Sequence, residues 1–226
     1  MSNKLKGALK TKYDAESGKY EIGIDEAGRG PMYGPVYAAA VVLPSEGEFK
    51  HGNMKDSKRF YSERKINAVA EYIKENAIAW GVGVSTAREI DSLNIRRATH
   101  IAMHKAIKIV QDKLGKDKTY LLIDGNDFTP RMHFVGNELE QEEYRCIEGG
   151  DDKYTSIAAA SILARVERNS YIARKCEENP ELEERYGILK NKGYGTVVHL
   201  EGIRKYGITD EHRRTFGICR NFAKTK

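Results

Sequence analysis

The chain has 226 residues, 40% of them hydrophobic and 31% charged, and its 38 basic against 33 acidic side chains give a net charge of +5. This is the balance of a soluble globular protein with enough apolar residues for a core. The small positive excess is compatible with a polyanionic partner but does not establish one. The three cysteines are widely spaced and form no CxxC pair, which argues against a disulfide framework and against a cysteine-bound zinc ion.

The N-terminal segment, residues 1–18, is polar and rich in lysine, without the apolar stretch of a signal peptide. No run of the sequence is apolar for long enough to cross a bilayer. We therefore expect a cytoplasmic protein with reduced thiols.

The predicted elements alternate between strands and helices along the chain. Apolar runs predict strands at residues 20–26, 36–43, 77–84 and 119–125 and around 143–150. Apolar residues at helical spacing predict helices over 62–76, 94–114, 154–178 and 197–206. Glycines and prolines between the first two strands favour a hairpin. The order predicts an α/β fold, a mixed β-sheet flanked by helices, with a mainly helical part after residue 150.

Several acidic residues lie at the ends of these apolar elements and not on a polar face. They are Asp25 and Glu26 after the first strand, Asp124 after the fourth, and Asp151 before the alanine-rich helix. Each one alone is explained equally well as a turn former. Together in a partly buried site they would repel one another unless a cation were present. Oxygen ligands of this kind suit two Mg²⁺ or Mn²⁺ ions, an arrangement used for phosphodiester hydrolysis.

The adjacent pair Asp25 and Glu26 raises a geometric difficulty. Neighbouring residues of a regular strand point to opposite faces of the sheet. Both can face one metal site only if the strand is irregular at or just after Glu26, and the glycines of "AGRG" permit this. We therefore expect a distortion there that brings both carboxylates to one side.

Five blocks of the sequence occur together in the order found in one enzyme family. They are "GIDEAGRGPMYGPVYAAAVVL" (23–43), "KDSK" (55–58), "LLIDGN" (121–126), "GGDDKYTSIAAASILARVERN" (149–169) and "NKGYGTVVHLEGIRKYGITDEHRRTF" (191–216). On these blocks the sequence resembles the ribonuclease HII family, the type 2 branch of the ribonuclease H family. The resemblance implies a ribonuclease H-like fold with a C-terminal helical extension. It implies a polar N-terminal extension (1–18), a catalytic domain (19–216) and a basic tail (217–226).

The resemblance also implies which residues form the site. The implied catalytic residues, which would also hold two divalent metal ions (Mg²⁺ or Mn²⁺), are Asp25, Glu26, Asp124 and Asp151, with Asp152 as the alternative to the last. The implied substrate contacts are the backbone of Gly28, Arg29 and Gly30, and the side chain of Tyr194. The 2′-hydroxyl alone distinguishes a ribonucleotide within DNA, and glycines let a backbone approach it closely. A plain hairpin turn and core packing are the structural alternatives for these two elements.

Two basic segments are further candidates for contact with nucleic acid. The loop "MKDSKRFYSERK" (54–65) suits phosphate contact, with Lys58 the preferred residue, and a solvated face is the alternative. The segment 212–226 contains no acidic residue, so its basic side chains either follow a phosphate backbone or form a solvated tail. These side chains are Arg213, Arg214, Arg220, Lys224 and Lys226. His199 and His212 are assigned no catalytic role.

The function implied by the resemblance is that of a metal-dependent endoribonuclease. It would cut the RNA strand of RNA–DNA hybrids and single ribonucleotides within duplex DNA, as in DNA replication and repair. Cleavage is expected on the 5′ side of the ribonucleotide, leaving a 3′-hydroxyl and a 5′-phosphate. The expected partners are these nucleic acids, with no membrane and no recognisable sliding-clamp motif. The alternatives are another two-metal nuclease of the same fold, such as a junction resolvase, and a catalytically silent hybrid-binding module.

Overall fold

The computed structural model of the chain describes residues 8–14, 18–45, 47–115, 118–135 and 137–223. Its strands are β1 (Tyr20–Ala27), β2 (Val36–Val42), β3 (Ala79–Ser85), β4 (Thr119–Asp124), β5 (Met132–Val135), β6 (Glu138–Gln141) and β7 (Tyr144–Ile147). Its helices are α1 (Glu63–Asn76), α2 (Ala87–Leu93), α3 (Ile95–Leu114), α4 (Thr155–Glu178), α5 (Glu181–Tyr186), α6 (Ile188–Asn191), α7 (Val197–Tyr206) and α8 (Cys219–Phe222).

The central sheet has the strand order β3-β2-β1-β4-β7. β1 and β2 form the predicted antiparallel hairpin, and β3 continues it on the β2 side. On the other side β4 runs parallel to β1, with Ile24 opposite Ile123, and β7 runs parallel to β4. The predicted mixed sheet is confirmed. Because β1 and β4 are parallel neighbours, their carboxyl ends meet at the same edge of the sheet.

Helices cover both faces of this sheet. On one face, α3 packs through Ala102 and Ile107 against Ile22 and Ile24 of β1. On the other face, α4 and α1 enclose a second core cluster with the inward residues of β2. The β1–α4 contact is very close, because a Cβ on Gly23 would lie 2.2 Å from the carbonyl carbon of Ser156. α4 therefore lies against the strand that carries Asp25.

The helical part after α4 forms a third cluster at the end of that helix. Tyr33, from the loop after β1, packs there with Ile172 of α4, Ile203 of α7 and Cys219 of α8. This confirms the predicted C-terminal helical part. The packing also joins that part to the glycine-rich loop between β1 and β2.

Most element boundaries agree with the sequence patterns. Ser62 caps α1 and Thr196 caps α7 as predicted, and α7 ends before Gly207. The sequence patterns did not predict α2, α5, α6 or the β5–β6 hairpin. These elements are short: α2 has seven residues, started by a capping box between Thr86 and Glu89, and β5 and β6 have four each. An element of so few residues is too short to show a recognisable hydrophobic period.

Part of the predicted N-terminal extension contacts the main body of the chain. The backbone of Lys10 bonds to Lys153 and Thr155 at 2.8 and 2.9 Å, and the Tyr13 ring stacks on Tyr120. Residues 1–7 and 15–17 of that extension, and 224–226 of the predicted tail, lie outside the described residues. In the described ranges, no helix has the length and hydropathy to span a membrane. The three cysteines are unpaired.

We predict that Gly23→Ala destabilises the protein by about 3 kcal/mol, because the added Cβ would overlap the α4 backbone and force β1 and α4 apart. Urea unfolding followed by circular dichroism measures this change. The control is Gly52→Ala, where a Cβ meets no atom within 4 Å and the free energy of unfolding should change by less than about 0.5 kcal/mol. Equal stability of both variants would contradict the prediction.

Candidate active site

Three aspartates from distant parts of the chain converge at the carboxyl ends of β1 and β4. Asp25 lies on β1, Asp124 is the last residue of β4, and Asp151 lies in a short 3-10 turn before α4. One carboxylate oxygen from each lies within 4.8 Å of the other two. Asp25 and Asp151 are buried, whereas Asp124 is half-buried. The arrangement offers oxygen ligands alone, which suits Mg²⁺ or Mn²⁺ better than zinc or copper.

Gly150 fixes the Asp124 carboxylate. The backbone N–H of Gly150 donates to Asp124 Oδ1 at 2.6 Å. A Cβ on Gly150 would lie 2.6 Å from Ile157 Cδ1 and 3.2 Å from the same Asp124 oxygen. A glycine is therefore needed for the 3-10 turn to approach β4 this closely. The same turn carries Asp151 to the group, and its neighbour Asp152 is not part of it.

Burial and like charge raise the pKa values of the acidic side chains. Burial, followed by the charges of Glu26 and Asp124, raises the pKa of Asp25 well above its usual value, and a hydrogen bond with Ser161 opposes this only in part. Burial and the charge of Asp124 raise the pKa of Asp151 to about 6. These carboxylates are held at a cost in free energy, which a bound cation would offset.

Glu26 is placed differently from the expectation. β1 keeps its regular pairing with β2 through Ala27, opposite Tyr37, so the strand has no distortion at Glu26. The backbone departs from strand geometry only at Gly28, with φ of +94°. The expected distortion thus begins at Gly28, just after Glu26 and not at it, and the approach of both carboxylates to one metal site stays a prediction. Glu26 is outside the group of three aspartates.

Glu26 nevertheless remains close to the three aspartates. One of its carboxylate oxygens lies 3.4 Å from a guanidinium nitrogen of Arg29. Burial raises the pKa of Glu26, and the charge of Asp124 adds to this, while Arg29 and Lys58 oppose it. Glu26 therefore lies at the margin of the group, where it interacts electrostatically with Asp124.

The glycine-arginine-glycine turn and Tyr194 lie side by side. A Cβ on Gly30 would be 3.2 Å from Tyr194 Cε1, so the ring lies against this glycine. Tyr194 is 51% exposed, which rules out core packing as its role. Arg29 and Gly30 are exposed, and among the described residues their backbone N–H groups have no acceptor. The turn thus presents free donors next to an exposed aromatic ring.

Two buried arginines hold this turn from behind, and sequence reasoning missed both. Arg213 donates to the carbonyl oxygens of Gly28, Arg29 and Gly34 at 2.6, 3.0 and 2.8 Å. Arg168 donates to the carbonyl of Tyr33 at 3.2 Å, and its side chain fills the space where a Cβ of Gly28 would lie. Since the carbonyls point inward to these arginines, the N–H groups of the turn face outward.

The C-terminal basic segment is therefore not a phosphate-binding run as a whole. Arg213 is fully buried, and burial lowers its pKa to about 9. The Arg214 backbone N–H bonds to Asp91, and Arg220 donates to the carbonyl of Thr215. Lys224 and Lys226 lie outside the described residues. For Arg213 the expectation was wrong, because its guanidinium is buried and donates to backbone carbonyls, so it cannot reach a phosphate.

Lys58 lies beside the aspartates on an anchored loop. Ser57 bonds through its hydroxyl to Ser161 at 2.9 Å, and its carbonyl accepts from Arg165 at 2.5 Å. Lys58 is exposed at the surface. Burial alone would lower its pKa, but the charges of Asp56, Asp151 and Asp25 raise it above the usual value. The Lys58 ammonium is thus close enough to the acidic site for the negative charges there to stabilise its positive charge.

A comparison with known families identifies the family to which this fold belongs. The family profile described as Ribonuclease HII matches residues 22–220, nearly the whole chain. The chain belongs to the ribonuclease HII family. Ribonuclease HII of Parabacteroides distasonis is 45% identical to it over 90% of this chain and 92% of the relative.

Solved structures show the same fold. The ribonuclease H2 of Pyrococcus horikoshii OT3 superposes with a TM-score of 0.65 at 20% identity, covering 89% of this chain and 96% of that one. Bst-RNase HIII in complex with Mn²⁺ superposes with a TM-score of 0.59 at 22% identity, covering 92% of this chain and 71% of the other. The ribonuclease H-like fold implied by the resemblance is confirmed for this ribonuclease HII family member.

We predict that Asp151→Asn stabilises the metal-free protein, and that the gain grows with pH. The folded pKa of Asp151, about 6, is above its ordinary value of 3.8, so its favourable contribution is full below pH 3.8 and is lost as pH rises through 6. The melting temperature of the variant should exceed that of the wild type at pH 8, with little difference at pH 4. Thermal unfolding in a chelating buffer measures this.

The matched control for Asp151→Asn is Asp152→Asn, which changes the neighbouring residue outside the aspartate group. Its effect on the melting temperature should be smaller and should depend less on pH over the same range. A loss of stability at pH 8 in Asp151→Asn would show that this carboxylate is not under electrostatic strain.

Proposed function

We propose that this ribonuclease HII family member is a metal-dependent endonuclease that cuts on the 5′ side of a ribonucleotide. Its substrates would be the RNA strand of hybrids and single ribonucleotides within duplex DNA, removed during replication and repair. The products would carry a 3′-hydroxyl and a 5′-phosphate. The observation that carries the proposal is the convergence of Asp25, Asp124 and Asp151 within 4.8 Å, beside a turn with free N–H donors.

The acidic group fits divalent metal ions. It consists of carboxylate oxygens alone, and burial, followed by neighbouring negative charges, raises the pKa values of Asp25 and Asp151. We propose that Asp25, Asp124 and Asp151, with Glu26 at the margin, hold two Mg²⁺ or Mn²⁺ ions. Such ions lower the pKa of a bound water and stabilise the leaving oxygen of a phosphodiester. Bst-RNase HIII, a structural neighbour, has been solved with Mn²⁺.

The turn and Tyr194 supply the recognition of the ribonucleotide. The 2′-hydroxyl can both donate and accept a hydrogen bond, and the outward N–H groups of Arg29 and Gly30 offer donors to it. The exposed ring of Tyr194 lies next to Gly30 and can stack on the sugar or base. A deoxyribonucleotide at this position would leave these donors without the hydroxyl. The turn thus provides a preference for RNA without reading a base.

We predict that Asp124→Asn lowers kcat by at least about 100-fold while the protein stays folded, because the variant loses charge at the centre of the acidic group. A denaturing gel of an end-labelled DNA duplex with one ribonucleotide, with Mg²⁺ or Mn²⁺ added and then chelated, measures cleavage. The wild type should cut only beside the ribonucleotide. The substrate controls are an all-DNA duplex and an all-DNA four-way junction. Cleavage of the junction would favour a resolvase, and normal cleavage by the variant would refute the site.

We predict that Lys58→Ala weakens substrate binding and lowers the slope of log K against log salt by about one, since one phosphate contact is lost. Fluorescence anisotropy of a labelled hybrid in Ca²⁺ buffer at several salt concentrations measures both. The control is Lys108→Ala on α3, whose ammonium pairs with Asp112 on the helix surface and should leave the slope unchanged. Identical slopes for the wild type and Lys58→Ala would remove Lys58 from the interface.

A further inference from the structure

Two histidines in the C-terminal helical part are fully buried and have no part in the chemistry proposed above. His199 lies on α7 and His212 lies in the loop that follows it. Their Nε2 atoms are 3.0 Å apart. The rings of Tyr33 and Tyr186 pack around them, with centroids 5.2 and 5.1 Å from that of His212. A buried pair of titratable rings in direct contact requires a defined arrangement of protons.

The neighbours of the pair determine where each proton lies. The Thr209 backbone N–H donates to His212 Nδ1 at 3.0 Å, and the Thr209 hydroxyl, 2.8 Å from the same nitrogen, can donate to it as well, so this nitrogen accepts and carries no proton. His212 Nε2 must then carry the proton and donate it to His199 Nε2. His199 in turn carries its proton on Nδ1, 3.0 Å from the carbonyl oxygen of Tyr194. All the hydrogen bonds run in one direction, from Thr209 to Tyr194.

This direction requires both rings to be neutral. A second proton on His199 would lie on Nε2, where it would repel the Nε2–H of His212. A second proton on His212 would lie on Nδ1, where it would repel the backbone N–H of Thr209. Burial, together with His199, lowers the pKa of His212 to about 3, and burial also lowers the pKa of His199. The pair is therefore neutral at pH 7, as a fixed structural link.

This series of hydrogen bonds connects the two parts of the proposed ribonucleotide site, Tyr194 and the glycine-arginine-glycine turn. At one end, the carbonyl of Tyr194 accepts from His199, on the loop that places the Tyr194 ring beside Gly30. At the other end, His212 is followed by Arg213, whose guanidinium holds the carbonyl of Gly28 at 2.6 Å. The backbone N–H of Arg213 also donates to the carbonyl of Met32 at 2.8 Å. The adjacent residues His212 and Arg213 thus connect to both parts: Arg213 binds the turn, and His212 connects through His199 to Tyr194.

We propose that His199 and His212 are positioning residues for ribonucleotide recognition, which fix the loop of Tyr194 against the turn held by Arg213. The inference rests on the proposed function of that pocket. Neither histidine touches the substrate, and each acts through Tyr194. A loosened link displaces the tyrosine without removing phosphate contacts, so kcat should fall while KM changes little.

The test is a double-mutant cycle between His199→Gln and Tyr194→Ala on a duplex with one ribonucleotide. The glutamine side chain places its amide where His199 Nε2 was, so it can accept from His212. It has no donor at the position of Nδ1, so the hydrogen bond to the Tyr194 carbonyl is lost. In the wild-type background His199→Gln should lower kcat by about tenfold, and in the Tyr194→Ala background it should have almost no further effect.

The controls separate positioning from general stability. His104→Gln makes the same substitution at a half-buried histidine on α3, whose buried Nδ1 has no partner among the described residues. It should not change kcat. Each variant is assayed well below its own melting temperature. If His199→Gln does not fold, His212→Asn replaces it in the cycle, because it keeps an acceptor for Thr209 and removes the donor to His199.

The outcomes are distinguishable. Equal losses of kcat in both backgrounds, or a lowered melting temperature with unchanged kcat, would show that the histidines serve stability alone and overturn the inference. A wild-type protein that does not cut a duplex with one ribonucleotide would instead overturn the proposed function. Coupled losses at His199 and Tyr194, with His104→Gln unaffected, support the positioning role.

Discussion

Electrostatic repulsion among buried carboxylates is the constraint on which the rest of this structure depends. Asp25 and Asp151 are buried within 4.8 Å of Asp124, and burial together with the charge of Asp124 raises the pKa values of both. Strands and a turn of the fold hold these three side chains in place. Parallel pairing of β1 with β4 sets two of the positions, and the 3-10 turn before α4 sets the third. The close contact between Gly23 and α4 then keeps β1 in place. A site under strain requires a scaffold that cannot relax around it.

The sequence predicted those parts of the site that follow from the ends of strands. Asp25 and Asp124 were recognisable because each ends a buried apolar run, and parallel neighbours bring such ends together. The choice of Asp151 over Asp152 depended on the family resemblance, since a glycine-aspartate turn has no periodicity. Glu26 was expected beside Asp25 because the glycines that follow it suggested an early distortion, yet it lies outside the group of three aspartates. The pairing of Ala27 with Tyr37 keeps the strand regular for one residue longer.

The larger omission was the support behind the glycine-rich turn. Arg213 and Arg214 are adjacent in a basic run, yet the first is fully buried and the second is exposed. No local pattern separates them, because the partners of Arg213 are backbone carbonyls more than 170 positions earlier in the sequence. The same holds for the neutral histidine pair, whose role depends on a contact between α7 and the loop after it. Long-range bonds to backbone atoms leave no trace in side-chain composition.

The bond between Arg213 and Gly28 has a consequence for the order in which the protein is completed. The first strand and its acidic residues leave the ribosome well before Arg213, which holds the adjoining turn from 185 positions later in the sequence. A nascent chain that has already folded its central sheet still has an unsupported turn. A truncated translation product that ends before Arg213 would therefore carry Asp25 beside a turn whose carbonyls lack the guanidinium that holds them.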